Sequence, residues 1–117
     1  MSFKEFITEK DDISIIKNKY KDLFSKINIY EFNDKISIDL IVVKDKNSGN
    51  GTALMKDICN YADKKNKIII LTPSDEFGTS KSALIKFYKK FGFVENDGDN
   101  KIFGIFEEMY RKPKSQK

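Results

Sequence analysis

The sequence predicts a single mixed α/β (α+β) domain, and three observations carry that prediction. Its 117 residues are too few for two independent cores. Its longest apolar runs, residues 40–43 and 68–71, are strand-sized and well short of the roughly 18 residues a membrane span requires. Around them, apolar residues recur at helical spacing in three segments, giving the order α-β-β-α-β-α-β-β. That order is a hairpin leading into a mixed sheet, with too few β-α repeats for a doubly wound one.

Asp11 and Asp12 precede a pattern placing Ile15, Ile16, Tyr20, Leu23 and Phe24 on one helix face, which predicts a helix to about Lys26. Ile27, Ile29 and Phe32 begin an extended segment, and Asn33-Asp34-Lys35 has hairpin-turn chemistry. Residues 36–43 read as an interior strand, alternating first and wholly apolar at the end. After a polar loop, Leu54, Met55, Ile58, Cys59, Tyr61 and Ala62 mark a helix that Asn66 stops. Residues 67–71 form a buried strand. Ser80 suits the N-cap of a short helix with Ala83, Leu84, Phe87, Tyr88 and Phe91 inside, ended by Gly92. Residues 93–95 and 102–110 are the last predicted strands, around a turn-rich segment at 96–100. Residues 1–111 make the domain and 112–117 a disordered basic tail.

Composition removes several kinds of chemistry. With no His, the Ser-His-Asp and Cys-His mechanisms and His-ligated metals are out, so no metal site is expected. Catalysis must use carboxylates, Tyr, Lys, hydroxyls or backbone amides. One Cys makes no internal disulfide, and the polar start lacks a signal-peptide core, which reads as an intracellular, cytoplasmic protein without a membrane segment. The net charge of +4 is spread over lysines, with a single Arg among 22 cations. Bidentate phosphate and guanine recognition favours Arg, so a nucleic-acid partner is not expected. Cys59, on an inner helix face, reads as a small buried hydrophobe.

The most informative segment joins Ile41-Val42-Val43 to Lys46-Asn47-Ser48-Gly49-Asn50-Gly51-Thr52. A buried strand enters a polar loop whose glycines open a helix. Glycine permits positive φ and close approach of a ligand, and a helix start offers free N–H groups. The segment reads either as a phosphate cradle or as a tight strand-to-helix turn. It is neither a Walker loop, which needs Lys and Ser or Thr after its last Gly, nor a Rossmann fingerprint, because Leu54 stands where a third Gly or Ala belongs.

A second segment favours the phosphate cradle. Residues 46–51 resemble the acetyl-CoA motif [QR]-x-x-G-x-[GA] of the GNAT (Gcn5-related N-acetyltransferase) superfamily, matching at Gly49 and Gly51 with Lys46 in the first position. About thirty residues on, Lys81 to Phe93 resemble that family's helix N-x-x-A-x-x-x-Y-x-x-x-G-F, keeping Tyr88, Gly92 and Phe93 in register and departing at Lys81 and Leu84. Met109-Tyr110-Arg111 resembles its last strand. The resemblance spans about residues 27–111 and implies a GNAT-like mixed central sheet flanked by helices, with a shortened front end.

It also implies chemistry. Acetyl-CoA would be the co-substrate, its pantetheine on the backbone of Ile41, Val42 and Val43. Its pyrophosphate would lie among Lys46, Asn47, Ser48, Gly49, Asn50, Gly51 and Thr52, with Ser80 nearby. Tyr88 would be the general acid protonating the leaving thiolate; a phenol, with a reference pKa near 10, keeps its proton at neutral pH. Asp39, which strict alternation places on the face of Ser37, Ile41 and Val43, would be the base for the attacking amine. The acceptor would be a primary amine, on a protein or a small molecule, and the protein a monomer or homodimer. A protein-binding module on the same scaffold is the alternative. Compact acetyltransferases of this layout occur in phages and mobile elements, some as anti-CRISPR proteins.

Overall fold

The computed structural model describes residues 13–46, 48–74 and 79–114, and their elements follow the predicted order. Helix α1 (Ile13–Tyr20) leads through one 3-10 turn into β1 (Phe24–Glu31). The chain reverses at Asn33 and Asp34, where the Phe32 amide donates to the Lys35 carbonyl, and enters β2 (Lys35–Val43). Helix α2 (Asn50–Lys65), β3 (Ile68–Leu71), α3 (Lys81–Lys89), β4 (Val94–Glu95) and β5 (Met109–Arg111) follow. The strands form one mixed sheet in the order β1-β2-β3-β5-β4, with β2 and β3 parallel and the other neighbours antiparallel.

Period-2 alternation sorts the sheet into two faces. Ile36, Ile38, Ile69, Leu71 and Met109 point into the main core with Leu54, Met55, Ile58 and Ala62 of α2 and with Ile13 and Tyr20 of α1. Ile70 and Tyr110 point the other way, where Ile105 covers them. Ser37, the residue between Ile36 and Ile38, is buried on that second face.

Two predicted elements are shorter than expected. Helix α1 stops at Tyr20, so Leu23 is exposed and Phe24 opens β1 instead of closing a helix. The helical repeat and a strand start coincide there, and burial of Phe24 with the sheet decides it. The final strand is Met109–Arg111, and residues 102–108 loop over the sheet. Asn96 organises that loop: its carboxamide donates to the carbonyls of Ile105 (2.8 Å) and Glu107 (3.0 Å) and accepts from the Ile102 amide (2.7 Å). A buried Asn side chain thus satisfies backbone groups that a ladder would otherwise have paired.

The end of the molecule away from the glycine loop is closed by charged groups. Arg111 is 4% exposed; its guanidinium donates to both carboxylate oxygens of Asp63 (2.9 and 3.2 Å) and to the Phe91 carbonyl (2.7 Å). The Lys114 amide also donates to Asp63 (2.8 Å). Glu31 accepts from Lys67, the Tyr61 hydroxyl and the Ile13 amide. Gly92 sits behind Arg111 at φ 95°, the left-handed region in which a side chain is strained.

Candidate active site

The parallel pairing of β2 with β3 stops at Ile38 and Leu71. Strand β2 continues for five residues, Asp39 to Val43, paired only with β1. Strand β3 instead gives way to Thr72-Pro73; proline has no N–H to donate and restricts the residue before it, so the ladder cannot continue. The two strands therefore part, and a cleft of about 300 Å³ opens between them. Residues 39–43 form one wall, residues 71–74 the other, and Leu84, Phe87 and Tyr88 of α3 close it from the helix side.

A β-bulge marks the start of this opening. Asn28 pairs with Leu40 and Ile29 with Ile38, so Asp39 is the extra residue with no partner on β1. The bulge shifts the phase of alternation. Ile36 and Ile38 before it, and Ile41 and Val43 after it, all pack toward the main core. The expectation that Asp39 shares a face with Ile41 and Val43 is thereby corrected. Its shared face with Ser37 holds: the Ser37 hydroxyl donates to Asp39 Oδ1 at 2.6 Å, and Asp39 is exposed.

The glycine loop meets the cleft at the start of α2. Gly49 is the N-cap, at φ 81°, a conformation that needs glycine although a Cβ would have open space. The Ser48 hydroxyl donates to the Asp45 carbonyl (2.7 Å) and accepts from the Asn50 amide (3.2 Å), which fixes the turn. The Gly51 and Thr52 amides have no hydrogen-bond acceptor among the described residues, as first-turn helix donors usually do not. Both residues line the cleft. A Cβ on Gly51 would stand 3.8 Å from the Phe87 ring, an ordinary contact, so the fold itself does not require glycine there.

Tyr88 is 6% exposed, its ring packed against Phe87 and Phe93. Burial pushes its phenol up to about 12. The hydroxyl makes no hydrogen bond to another described residue, and the side chain lines the cleft.

The cleft thus gathers Asp39, Ile41, Val42, Val43, Lys46, Gly49, Gly51, Thr52 and Tyr88. Ser48 and Asn50 shape the loop without lining it, and Ser80 spends its hydroxyl as the N-cap of α3, accepting from the Ala83 amide at 3.2 Å. Asn47 lies outside the described residues. Sequence reasoning missed Thr72, Pro73 and Ser74; their signal was the proline directly after the strand. It also missed Phe87, which underlies Gly51. Cys59 is buried as expected, and that burial raises its pKa. No group of His, Cys, Asp or Glu among the described residues could hold a metal, and no helix among them is long and apolar enough to cross a membrane.

Comparison with solved structures places this arrangement. The crystal structure of the anti-CRISPR protein AcrVA5 is similar at 27% identity and a TM-score of 0.55, over 72% of this chain and 85% of that one. That of Ard1 from Thermoplasma volcanium is similar at 20% identity and a TM-score of 0.53, over 92% of this chain and 86% of that one. The fold is GNAT-like. No family model and no curated protein matches the sequence.

Proposed function

We propose that the protein is an N-acetyltransferase that moves acetyl from acetyl-CoA to a primary amine by direct attack in a ternary complex. The likeness to AcrVA5 and Ard1 supports the general N-acetyltransferase reading. The observation that carries the finer one is the parting of β2 from β3 beyond Ile38, which leaves residues 39–43 unpaired on the β3 side along an open cleft.

The donor set fits the co-substrate. The free edge of residues 41–43 offers N–H and C=O groups to an extended amide-bearing arm, as a missing strand would. The Gly51 and Thr52 amides, at the positive end of α2, suit a pyrophosphate. Acetyl-CoA supplies a thioester carbonyl open to an amine. Tyr88, on the helix side, shares its proton with sulfur as the carbon–sulfur bond breaks; at a pKa of about 12 it keeps that proton throughout the neutral range. Asp39, held by Ser37 on the opposite face, takes the proton the amine loses, directly or through water. Acid and base thus stand on the two sides of the split, where they do not neutralise each other. Ser48 and Ser80 act by fixing the loop and the start of α3.

Incubation with isotope-labelled acetyl-CoA and a panel of peptides and small amines, read by mass spectrometry, tests this. Labelled acetyl on a primary amine is expected. Binding of acetyl-CoA with no transfer to any amine would leave a protein-binding scaffold instead.

A further inference from the structure

The groove between α2 and α3 does not end at the cleft. Thr52 and Lys56 stand four residues apart on α2, so they lie on one helix face a turn apart, about 5.4 Å, while Phe91 follows Phe87 just beyond the end of α3. Thr52 and Phe87 line the cleft, whereas Lys56 and Phe91 line a second pocket of about 270 Å³. The Phe87 and Phe91 rings, 5.2 Å between centroids, connect the two chambers.

The second pocket is cationic. Lys56, Asn60, Lys90, Arg111 and Lys114 converge on it. Asp63 is the carboxylate beside them, already holding Arg111 in a bidentate pair and the Lys114 amide. The Lys56 and Lys90 ammonium groups form no ion pair with any described carboxylate. Four cations against one acid make the pocket attractive to a compact anion.

We propose that this pocket is a second phosphate site that receives a phosphomonoester, one helical turn beyond the pyrophosphate donors of the cleft. In the acetyl-CoA reading, on which the identity of the ligand rests, the group is the 3′-phosphate of the adenosine ribose. The seam between α2 and α3 then selects acetyl-CoA over forms lacking that phosphate. A free phosphate has the same chemistry and is the other source.

Calorimetric titration of the full chain and of Lys56→Gln/Lys90→Gln separates the cases, using acetyl-CoA, acetyl-3′-dephospho-CoA and inorganic phosphate as probes. Both lysines are exposed, so the double variant keeps its fold, which a melting curve verifies. The full chain is expected to bind acetyl-CoA about tenfold more tightly than the dephospho form, a preference that salt weakens and the double variant loses. Equal binding of the two forms, with inorganic phosphate bound by the full chain and not by the variant, keeps the pocket and assigns it a free phosphate. A preference that survives both substitutions overturns the proposal, as does the absence of both the preference and phosphate binding. If acetyl-CoA fails to bind while phosphate binds through the lysines, the acetyltransferase reading fails and the pocket stands.

Discussion

The two halves of β2 are one continuous strand with different neighbours. Lys35 to Ile38 pair with β3 residue by residue, while Asp39 to Val43 have β1 alone. Lys35-Ile36-Ser37-Ile38 alternates and Leu40 to Val43 is wholly apolar, yet the more apolar half is the one left open, so hydrophobicity does not explain the difference. The neighbour does, because β3 has four residues to the nine of β2 and ends before a proline. The paired half belongs to an end of the molecule where charged groups are matched, through Asp63 with Arg111 and Glu31 with Lys67. The parted half belongs to an end where the strand edge, the Gly51 and Thr52 amides and the Tyr88 hydroxyl have no partner among the described residues. Unmatched polar groups gathered in one place are the mark of a site, and matched ones the mark of a scaffold.

Breaking the matched end is expected to have the largest effect. Arg111→Met leaves the largely covered Asp63 carboxylate without its countercharge, which should cost up to about 3 kcal/mol in chemical denaturation, a large share of a small domain's stability. Acetyl-CoA binding by the fraction still folded should persist, weakened by the loss of one cation from the second pocket.

Tyr88→Phe addresses the unmatched end. It removes a hydroxyl that bonds to no described residue, so the melting temperature should barely move. Turnover should fall about 10²-fold, in kcat and not in the KM for the amine. Because the phenol lies at about 12, an alkaline limb of the rate profile below about pH 11 has to belong to another group. Full activity in this variant would make Tyr88 a packing residue.

Acid should weaken the matched end first. Burial pushes Asp63 and Glu31 up, but Arg111 with the Lys114 amide, and Lys67 with Tyr61 and the Ile13 amide, outweigh it and hold both carboxyls below their ordinary values. Folded values below unfolded ones stabilise the protein above the ordinary carboxylate range and lose that contribution as pH falls through the folded values. Stability should thus decline below about pH 4, and Asp63→Asn should flatten that decline.

Gly51→Ala is the smallest and most discriminating change. An alanine in a helix gains about 0.5–1 kcal/mol over glycine, and its Cβ meets only ordinary contact with Phe87. The variant should be slightly more stable and keep its acetyl-CoA binding, since the motif that residues 46–51 resemble admits alanine in its last position. Lost binding in a variant that stays folded would contradict that match.

The element order was legible because each element carries its own period and punctuation: Asn66 in the left-handed region closes α2, and Ser80 caps α3. The glycine loop and Tyr88 were legible through paired motifs at the right separation. The orientation of Asp39 was not, since a bulge depends on how β1 registers against β2 and leaves no local trace in Ile38-Asp39-Leu40. Nor was the role of Asn96, whose three bonds reach residues six to eleven positions away. The burial of Arg111 depends on Asp63, 48 residues earlier, and nothing local in Met109-Tyr110-Arg111 points to that partner.

The central claim is that the parted half of β2 and the first turn of α2 are one acetyl-CoA site. Amide-resolved NMR during titration with acetyl-CoA tests it most directly. The account predicts that the resonances of residues 41–43, Gly51 and Thr52 shift together and saturate at one concentration, while those of the paired segments 35–38 and 68–71 stay in place. Binding that shifts other amides and leaves residues 41–43, Gly51 and Thr52 unmoved, or no binding at millimolar acetyl-CoA, would contradict it.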